Sequence, residues 1–463
     1  MKVIGPRGYT ILKEDYSNAF ITNLKKELTV KPFVSQDYSA PSPPFPIYCE
    51  SKRKLYMPRF FGINSFGNPE MNKLNDGVEI DIEFKGKLRP IQLPIIDAYM
   101  KYKSGIVSVP CGYGKTVLAL DIIARLKVKT LVIVHKEFLM NQWKERIEQF
   151  LPDARVGRIQ SNKVKVKDKD IVLGMLQSIS MIDYPEETFN EFGFVIYDEC
   201  HHLGAEIFSR ALLKTGFKYL LGLSATPKRS DGLSKVFEWY LGKIVYSIKR
   251  EPEKVKVKII EYYNEDNSYS KEVLNQMGKP NSATMINNIT QFEPRLKLLM
   301  GQIFECLKDG RKILVLSDRR DHLKDIFYQM SLQEEFTYGF YLGGMKQSEL
   351  QETETKDVIL GTFTMASEGF DCKYPLNTII LSSPKTNIEQ AVGRILREEE
   401  SKRKKIPLVI DIADNFSVFA RQKLKRIKYY KKNKYTIEKY DENNVKIEEQ
   451  TPQTCEKELT FLD

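Results

Sequence analysis

The chain has 463 residues, 42% of them hydrophobic, enough to bury two or three cores of ordinary size. No apolar run approaches the roughly 20 residues that span a bilayer. The first twelve residues, with Pro6 among them, do not read as a signal peptide, and six scattered cysteines point to an intracellular, reducing compartment. A formal charge of +11 favours a polyanionic partner.

Residues 1–80 differ in texture from the rest and read as a small accessory module of short strands. They are rich in proline, aromatic and turn residues, with Pro41-Ser42-Pro43-Pro44-Phe45-Pro46 as the sharpest irregular stretch. Tyr48, Tyr56, Phe60 and Phe61 lie near Lys52, Arg53, Lys54 and Arg59. They read first as aromatic core, and second as a surface that stacks bases and contacts phosphates.

Residues 81–248 alternate helix and strand. Strands are expected near 106–109, 130–134, 171–174, 194–197 and 219–223, the rhythm of a doubly wound parallel sheet. After the first strand comes Pro110-Cys111-Gly112-Tyr113-Gly114-Lys115-Thr116, and then a helical spacing of Leu118, Ile122 and Leu126. Glycines there let backbone N–H groups turn toward phosphate, with Lys115 reaching the β/γ oxygens and Thr116 joining a Mg²⁺ shell. The usual signature has Gly six residues before the Lys, where this chain has Val109. On the next helix Leu139, Trp143, Ile147 and Phe150 share a face, as in ordinary packing against a sheet.

The apolar run Phe194-Val195-Ile196-Tyr197 delivers Asp198 and Glu199 at its carboxyl end, 83 residues after Lys115. Open α/β sheets bind ligands at that edge. Asp198 is expected to hold Mg²⁺ and Glu199 to orient the attacking water, which together with the loop describes ATP hydrolysis. Cys200, His201 and His202 do not make a zinc site, because none of the other cysteines forms a CxxC pair.

Residues 249–254 read as a linker, and 255–435 as a second α/β series with strands near 255–262, 313–316, 358–361, 378–381 and 408–411. The stretch 264–290 reads as a polar insertion. Gln390-Ala391-Val392-Gly393-Arg394-Ile395-Leu396-Arg397 puts two arginines on one face of a helix, where guanidiniums can stabilise a transferring phosphoryl group. From Arg421 to Lys434 there are eight Lys/Arg and no acid, beside an expected apolar stripe of Phe416, Phe419, Leu424, Ile427 and Tyr430. That segment reads either as a docked amphipathic helix or as a phosphate-binding one. Residues 436–463 read as a charged, weakly patterned tail.

In order, Arg89-Pro90-Ile91-Gln92, PCGYGKT, Val134-His135-Lys136, DECH, Ser224-Ala225-Thr226, Leu316-Ser317-Asp318-Arg319-Arg320, Gly361-Thr362 through Glu368-Gly369-Phe370-Asp371, and QAVGRILR form a series. It resembles the eight motifs of superfamily 2 helicases over roughly 85–430. Leu139-Met140-Asn141-Gln142-Trp143 and the run from Ala225 to Leu233 are similar to the XPB-like branch. The compact length and aromatic amino-terminal module look most like the transcript-release helicases of large cytoplasmic DNA viruses.

The resemblance implies two RecA-like parallel-sheet domains in tandem behind the accessory module. It implies ATP and Mg²⁺ held by Arg89, Gln92, Pro110, Cys111, Gly112, Tyr113, Gly114, Lys115, Thr116, Gly369 and Asp371, with Gln92 reading adenine. Catalysis would fall to Lys115, Asp198, Glu199, Gln390, Arg394 and Arg397, and coupling to Ser224 and Thr226. Lys136, Gln177, Ser178, Arg319, Arg320 and Thr362 would contact a nucleic-acid backbone. The implied partners are DNA, RNA or a DNA–RNA hybrid together with transcription machinery, with no membrane, in the host cytoplasm or the virion. Two other functions stay open: a motor that pumps duplex DNA without separating strands, and a non-catalytic nucleic-acid-binding subunit. The intact Lys115, Asp198, Glu199, Arg394 and Arg397 argue against the second.

Overall fold

Phe194–Tyr197 is apolar at every position because both of its faces are covered. Phe194 and Ile196 join one core cluster, and Val195 and Tyr197 another. The strand lies inside an eight-stranded sheet in the spatial order Lys163–Lys165, Val156–Gln160, Ile171–Met175, Thr130–Val134, Phe194–Tyr197, Tyr219–Ser224, Ser104–Ser108, Ile244–Ser247. All of its pairs are parallel except the edge hairpin of Val156–Gln160 with Lys163–Lys165. The helices Leu93–Tyr102, Lys115–Leu126 and Glu137–Phe150 contribute their buried faces to the cluster on one side.

The computed structural model describes residues 1–33, 43–110, 112–204, 206–225, 231–248, 251–333, 335–368, 370, 372 and 374–447. Cys111, Thr226, Gly369 and Asp371, each expected to act in the site, lie outside these, as do 448–463 of the expected tail.

The accessory module builds a five-stranded sheet in the order Cys49–Glu50, Lys54–Met57, Gly8–Leu12, Lys2–Gly5, Met71–Asn72. Ile4, Tyr9, Ile11, Leu55 and Met57 share a cluster with Val195, Tyr197 and Tyr240. Tyr240 OH donates to Ile47 O at 2.6 Å, Arg59 Nη1 donates to Lys218 O at 3.0 Å, and Phe61 meets Trp239 edge-on at 4.9 Å. These contacts make residues 1–250 one compact unit and 251–463 another, so the module is not separate from the first α/β domain. Of the four aromatics expected in the core, Phe61 is buried, Tyr48 and Phe60 are half-buried against the same cluster, and Tyr56 is half-buried.

The second unit has a seven-stranded, all-parallel sheet in the order Tyr338–Tyr341, Val358–Thr362, Ile313–Ser317, Thr378–Leu381, Leu408–Asp414, Lys256–Tyr262, Thr436–Tyr440. Two sequence expectations change here. Thr436–Tyr440, assigned to the tail, pairs in parallel with Lys256–Ile260, and Glu438 binds Lys256 at 2.9 Å and Lys446 at 3.0 Å. The stretch 264–290 is a polar insertion only in part: 264–280 is mostly exposed and lies outside the sheet. Tyr269 and the Met285, Ile286 and Ile289 face of helix Ser282–Gln291 are buried in this unit's core.

Candidate functional site

The phosphate loop follows strand Ser104–Ser108 and opens helix Lys115–Leu126, with Gly112 at φ 89° and Gly114 at φ 75°. L side chains rarely adopt such values, and a Cβ on Gly114 would stand 2.6 Å from Gln92 Nε2. Gln92 is buried, accepts from Arg89 N at 2.8 Å and donates through Nε2 to Tyr113 O at 3.0 Å. Arg89 Nη2 donates to Gly112 O at 2.9 Å. Both residues therefore brace the loop backbone, a part that sequence reading did not give them.

Lys115 Nζ lies 2.8 Å from Glu199 Oε1, with both side chains largely out of solvent. Glu199 has φ 48°, uncommon for a residue with a side chain. Its other oxygen, Oε2, is buried with no hydrogen-bond partner among the described residues, and His201 Nδ1 lies 3.4 Å away. Burial pushes the Glu199 carboxyl up, but Lys115 and then His201 outweigh it and hold it below its ordinary value. Burial and then the adjacent Glu199 carboxylate raise the Asp198 carboxyl. Burial lowers His201 to about 4, so its ring is neutral near pH 7. His201 Nδ1 and Ser224 Oγ are 3.0 Å apart, which carries the contact from the acidic motif to Ser224.

Trp143 is the residue that sequence reading placed in packing alone. It is buried, and its indole N–H also donates to Asp198 Oδ2 at 2.9 Å. A tryptophan one helix away from an acidic strand end carries no signal of this in sequence, because the two residues are 55 apart. Thr116 and Asp198 offer hydroxyl and carboxylate oxygens, the hard donors that magnesium takes, and the buried Glu199 Oε2 adds an unsatisfied acceptor beside them. This donor set fits Mg²⁺.

In the second unit the QAVGRILR stretch is an α-turn, Glu389–Val392, followed by a tighter 3₁₀ turn, Gly393–Leu396. Residues three apart eclipse in such a turn, so Arg394 and Arg397 do share a side. Arg394 Nη1 and Arg397 Nη2 donate to the same carbonyl, Phe370 O, at 2.9 and 2.6 Å, and Arg394 Nε donates to Ala366 O. Both arginines are thus tied to the Phe370 carbonyl. Gln390 is partly exposed on the preceding turn.

The expected backbone contacts divide. Lys136 is partly exposed and Gln177 exposed, whereas Ser178 is buried and accepts from Ser161 N at 2.9 Å, so its hydroxyl serves the fold. Arg320 Nη2 donates to Gly343 O at 2.8 Å, and Arg319 reaches Ala283 O at 2.8 Å and Asn287. Thr362 is partly buried and accepts from Met365 N.

Helix Ser417–Lys432 buries Phe419, Gln422, Lys423, Arg426 and Tyr430, while Leu424 is 61% exposed. The expected apolar stripe is thus misplaced at Leu424. Arg426 and Tyr430 reach the buried Asp411 instead, and Lys423 pairs with Glu261. Six of the eight bases of 421–434 remain exposed.

Comparison with known proteins bears on this geometry. The family model described as "Type III restriction enzyme, res subunit" matches residues 85–229. A protein of Acanthamoeba polyphaga mimivirus that carries an ATP-dependent RNA helicase name is 36% identical over 450 residues, covering 94% of this chain and 86% of its own. A similarly named protein of African swine fever virus is 29% identical over 379 residues, 74% of this chain and 72% of its own. A DNA 3'-5' translocase of Sulfurisphaera tokodaii, of the XPB kind, is 38% identical over 165 residues, 36% of each chain. The chain belongs to the superfamily 2 helicases, in the group found in large DNA viruses, and is an ATP-dependent nucleic-acid helicase or translocase.

Proposed function

We propose that this motor acts on DNA or DNA–RNA hybrids during transcription, releasing transcripts, with Mg²⁺ as its metal. The observation that carries the reading is the chain of contacts Lys115–Glu199–His201–Ser224, which connects the phosphate loop to the strand end beyond it. ATP phosphates would draw Lys115 from Glu199. Glu199, freed, would orient water, and the change would pass through His201 to Ser224. Thr116 and Asp198 would hold Mg²⁺, which when bound neutralises charge on the phosphates. Cys111, Gly369 and Asp371 would complete the nucleotide contacts, and Thr226 would join Ser224 in coupling.

Gln92 and Arg89 keep the loop in shape and would place adenine beside it. Gln390, Arg394 and Arg397 would complete the site on the second unit, with Lys136, Gln177, Arg319, Arg320 and Thr362 gripping the strand by its backbone. Free thiols at Cys49, Cys200, Cys306 and Cys372 suit a reducing host cytoplasm. The mimivirus and African swine fever virus relatives bear RNA helicase names and the Sulfurisphaera one a DNA translocase name, and a hybrid substrate reconciles the two.

ATPase stimulation across single-stranded DNA, duplex DNA, RNA and hybrid tests the reading. The expected order puts hybrid and single-stranded DNA first. Equal rates with and without polynucleotide would end the motor reading.

A further inference from the structure

A second concave surface of the first unit lies away from the phosphate loop. It encloses about 880 Å³ between one face of the accessory sheet and the foot of the parallel sheet. Its floor includes Asn190 and Phe192, which precede strand Phe194–Tyr197, and Phe217, which precedes Tyr219–Ser224. Asp198 follows the carboxyl end of the same Phe194–Tyr197 strand. At about 3.3 Å per residue, the two sites are separated by the length of a strand.

Alternation along the accessory strands builds the opposite wall. Leu55, Met57, Tyr9 and Ile11 turn into the core, which leaves Lys54, Tyr56, Thr10 and Leu12 on the other face, lining the groove. The two acids of the lining are already matched, Asp183 with Lys214 at 2.8 Å and Glu186 with Arg7 at 3.1 Å. Lys54 and Lys73 have no acidic partner among the described residues. The groove is thus net positive, and the half-buried Tyr56 ring lines it with the Arg7 guanidinium over the ring, 5.6 Å from its centre, a cation-and-aromatic pair of the kind that takes a base.

Helix Leu176–Met181 connects this groove to the expected strand-gripping surface. Gln177 is exposed at its start, and Met181, 60% exposed, lines the groove at its end. Six residues of helix span about 9 Å.

We propose that the groove is a secondary binding site for single-stranded nucleic acid. It takes the strand as it leaves the motor's grip, with phosphates on Lys54 and Lys73 and a base on Tyr56. This rests on the motor reading above. An acidic peptide would satisfy the lysines, but would leave the Tyr56–Arg7 pair and the adjacency to Gln177 without a purpose.

The test is equilibrium binding of labelled single-stranded oligonucleotides of increasing length, DNA and RNA, at several salt concentrations. For Lys54→Glu/Lys73→Glu, affinity should fall about tenfold or more for long strands only, with the salt slope reduced by about 1.4, two phosphates at roughly 0.7 each. ATPase stimulated by short strands should be unchanged. Tyr56→Leu, which keeps an apolar side chain in the sheet, should lose about fivefold or more on long strands but not on abasic strands of equal length. An unchanged length profile and salt slope in folded variants overturns the groove alone. So does a loss in the double variant that is the same for polyglutamate as for base-bearing strands. Failure of the wild-type chain to bind any oligonucleotide would instead overturn the motor reading.

Discussion

The buried ion pairs of the two units are built on opposite principles. In the second unit, Asp411 accepts from Arg426 Nε at 2.8 Å, Arg426 Nη2 at 2.9 Å and Tyr430 OH at 2.9 Å. Asp414 is held in the same way by Arg295 at 2.7 and 2.9 Å and by Tyr269 OH at 2.8 Å. These carboxylates are saturated. The Glu199 carboxylate in the first unit takes one hydrogen bond, from Lys115, with His201 Nδ1 3.4 Å from its other oxygen and a left-handed backbone beneath it. A saturated pair has nothing to gain by moving, whereas a part-satisfied one on strained backbone can exchange its partner at small cost.

The largest effect should come from the loose pair, and in activity rather than stability. Glu199→Gln or Lys115→Ala should lower ATP turnover by about a thousandfold, while chemical denaturation shows Glu199→Gln to be as stable as wild type. A large loss of stability in Glu199→Gln would erase the contrast. The tight pair should do the reverse. Asp411→Ala strands Arg426 and should cost about 3–5 kcal/mol in the same denaturation assay. Nucleotide binding measured on the folded protein should be unaltered.

Trp143→Phe sharpens the comparison, because it removes one donor from Asp198 and leaves the ring in the core. Turnover should fall about tenfold, with the Mg²⁺ concentration at half-maximal rate raised and KM for ATP little changed. In a Trp239→Phe background Trp143 is the sole tryptophan, so its fluorescence should respond to Mg²⁺ with nucleotide. A flat signal would place Trp143 in packing only.

Glu438, at the surface edge of the second sheet, gives the smallest effect. Lys256 and then Lys446 hold its carboxyl down at about 2 by hydrogen bonding. Its folded pKa is below the unfolded value of about 4.3, so its contribution is present above that value and fades as pH falls toward about 2. Glu438→Gln should therefore lower stability by no more than about 1 kcal/mol at neutral pH, and by nothing below pH 2.

Legibility in sequence followed burial. Strands such as Ile313–Ser317 and Phe194–Tyr197, covered on both faces, stand out as unbroken apolar runs. Strands at or next to a sheet edge, such as Thr436–Tyr440 and Val156–Gln160, do not, because a half-exposed strand carries polar residues that look like loop. Helix Ser417–Lys432 misled for a related reason. Its buried face carries Gln422, Lys423 and Arg426, and a search for an apolar stripe selects the exposed Leu424 instead.

The order of motifs, the phosphate loop and the acidic strand end were determined by sequence alone, since backbone turns and hard oxygen donors demand particular residues at short spacing. Tertiary structure decided what distance along the chain conceals. It joined Trp143 to Asp198, fixed Gln92 under the loop, buried Ser178, fused the accessory module to the first sheet and buried Arg426 against Asp411. Each of these is a contact whose energy depends on position in space and not on separation in the chain, and so no local pattern records it.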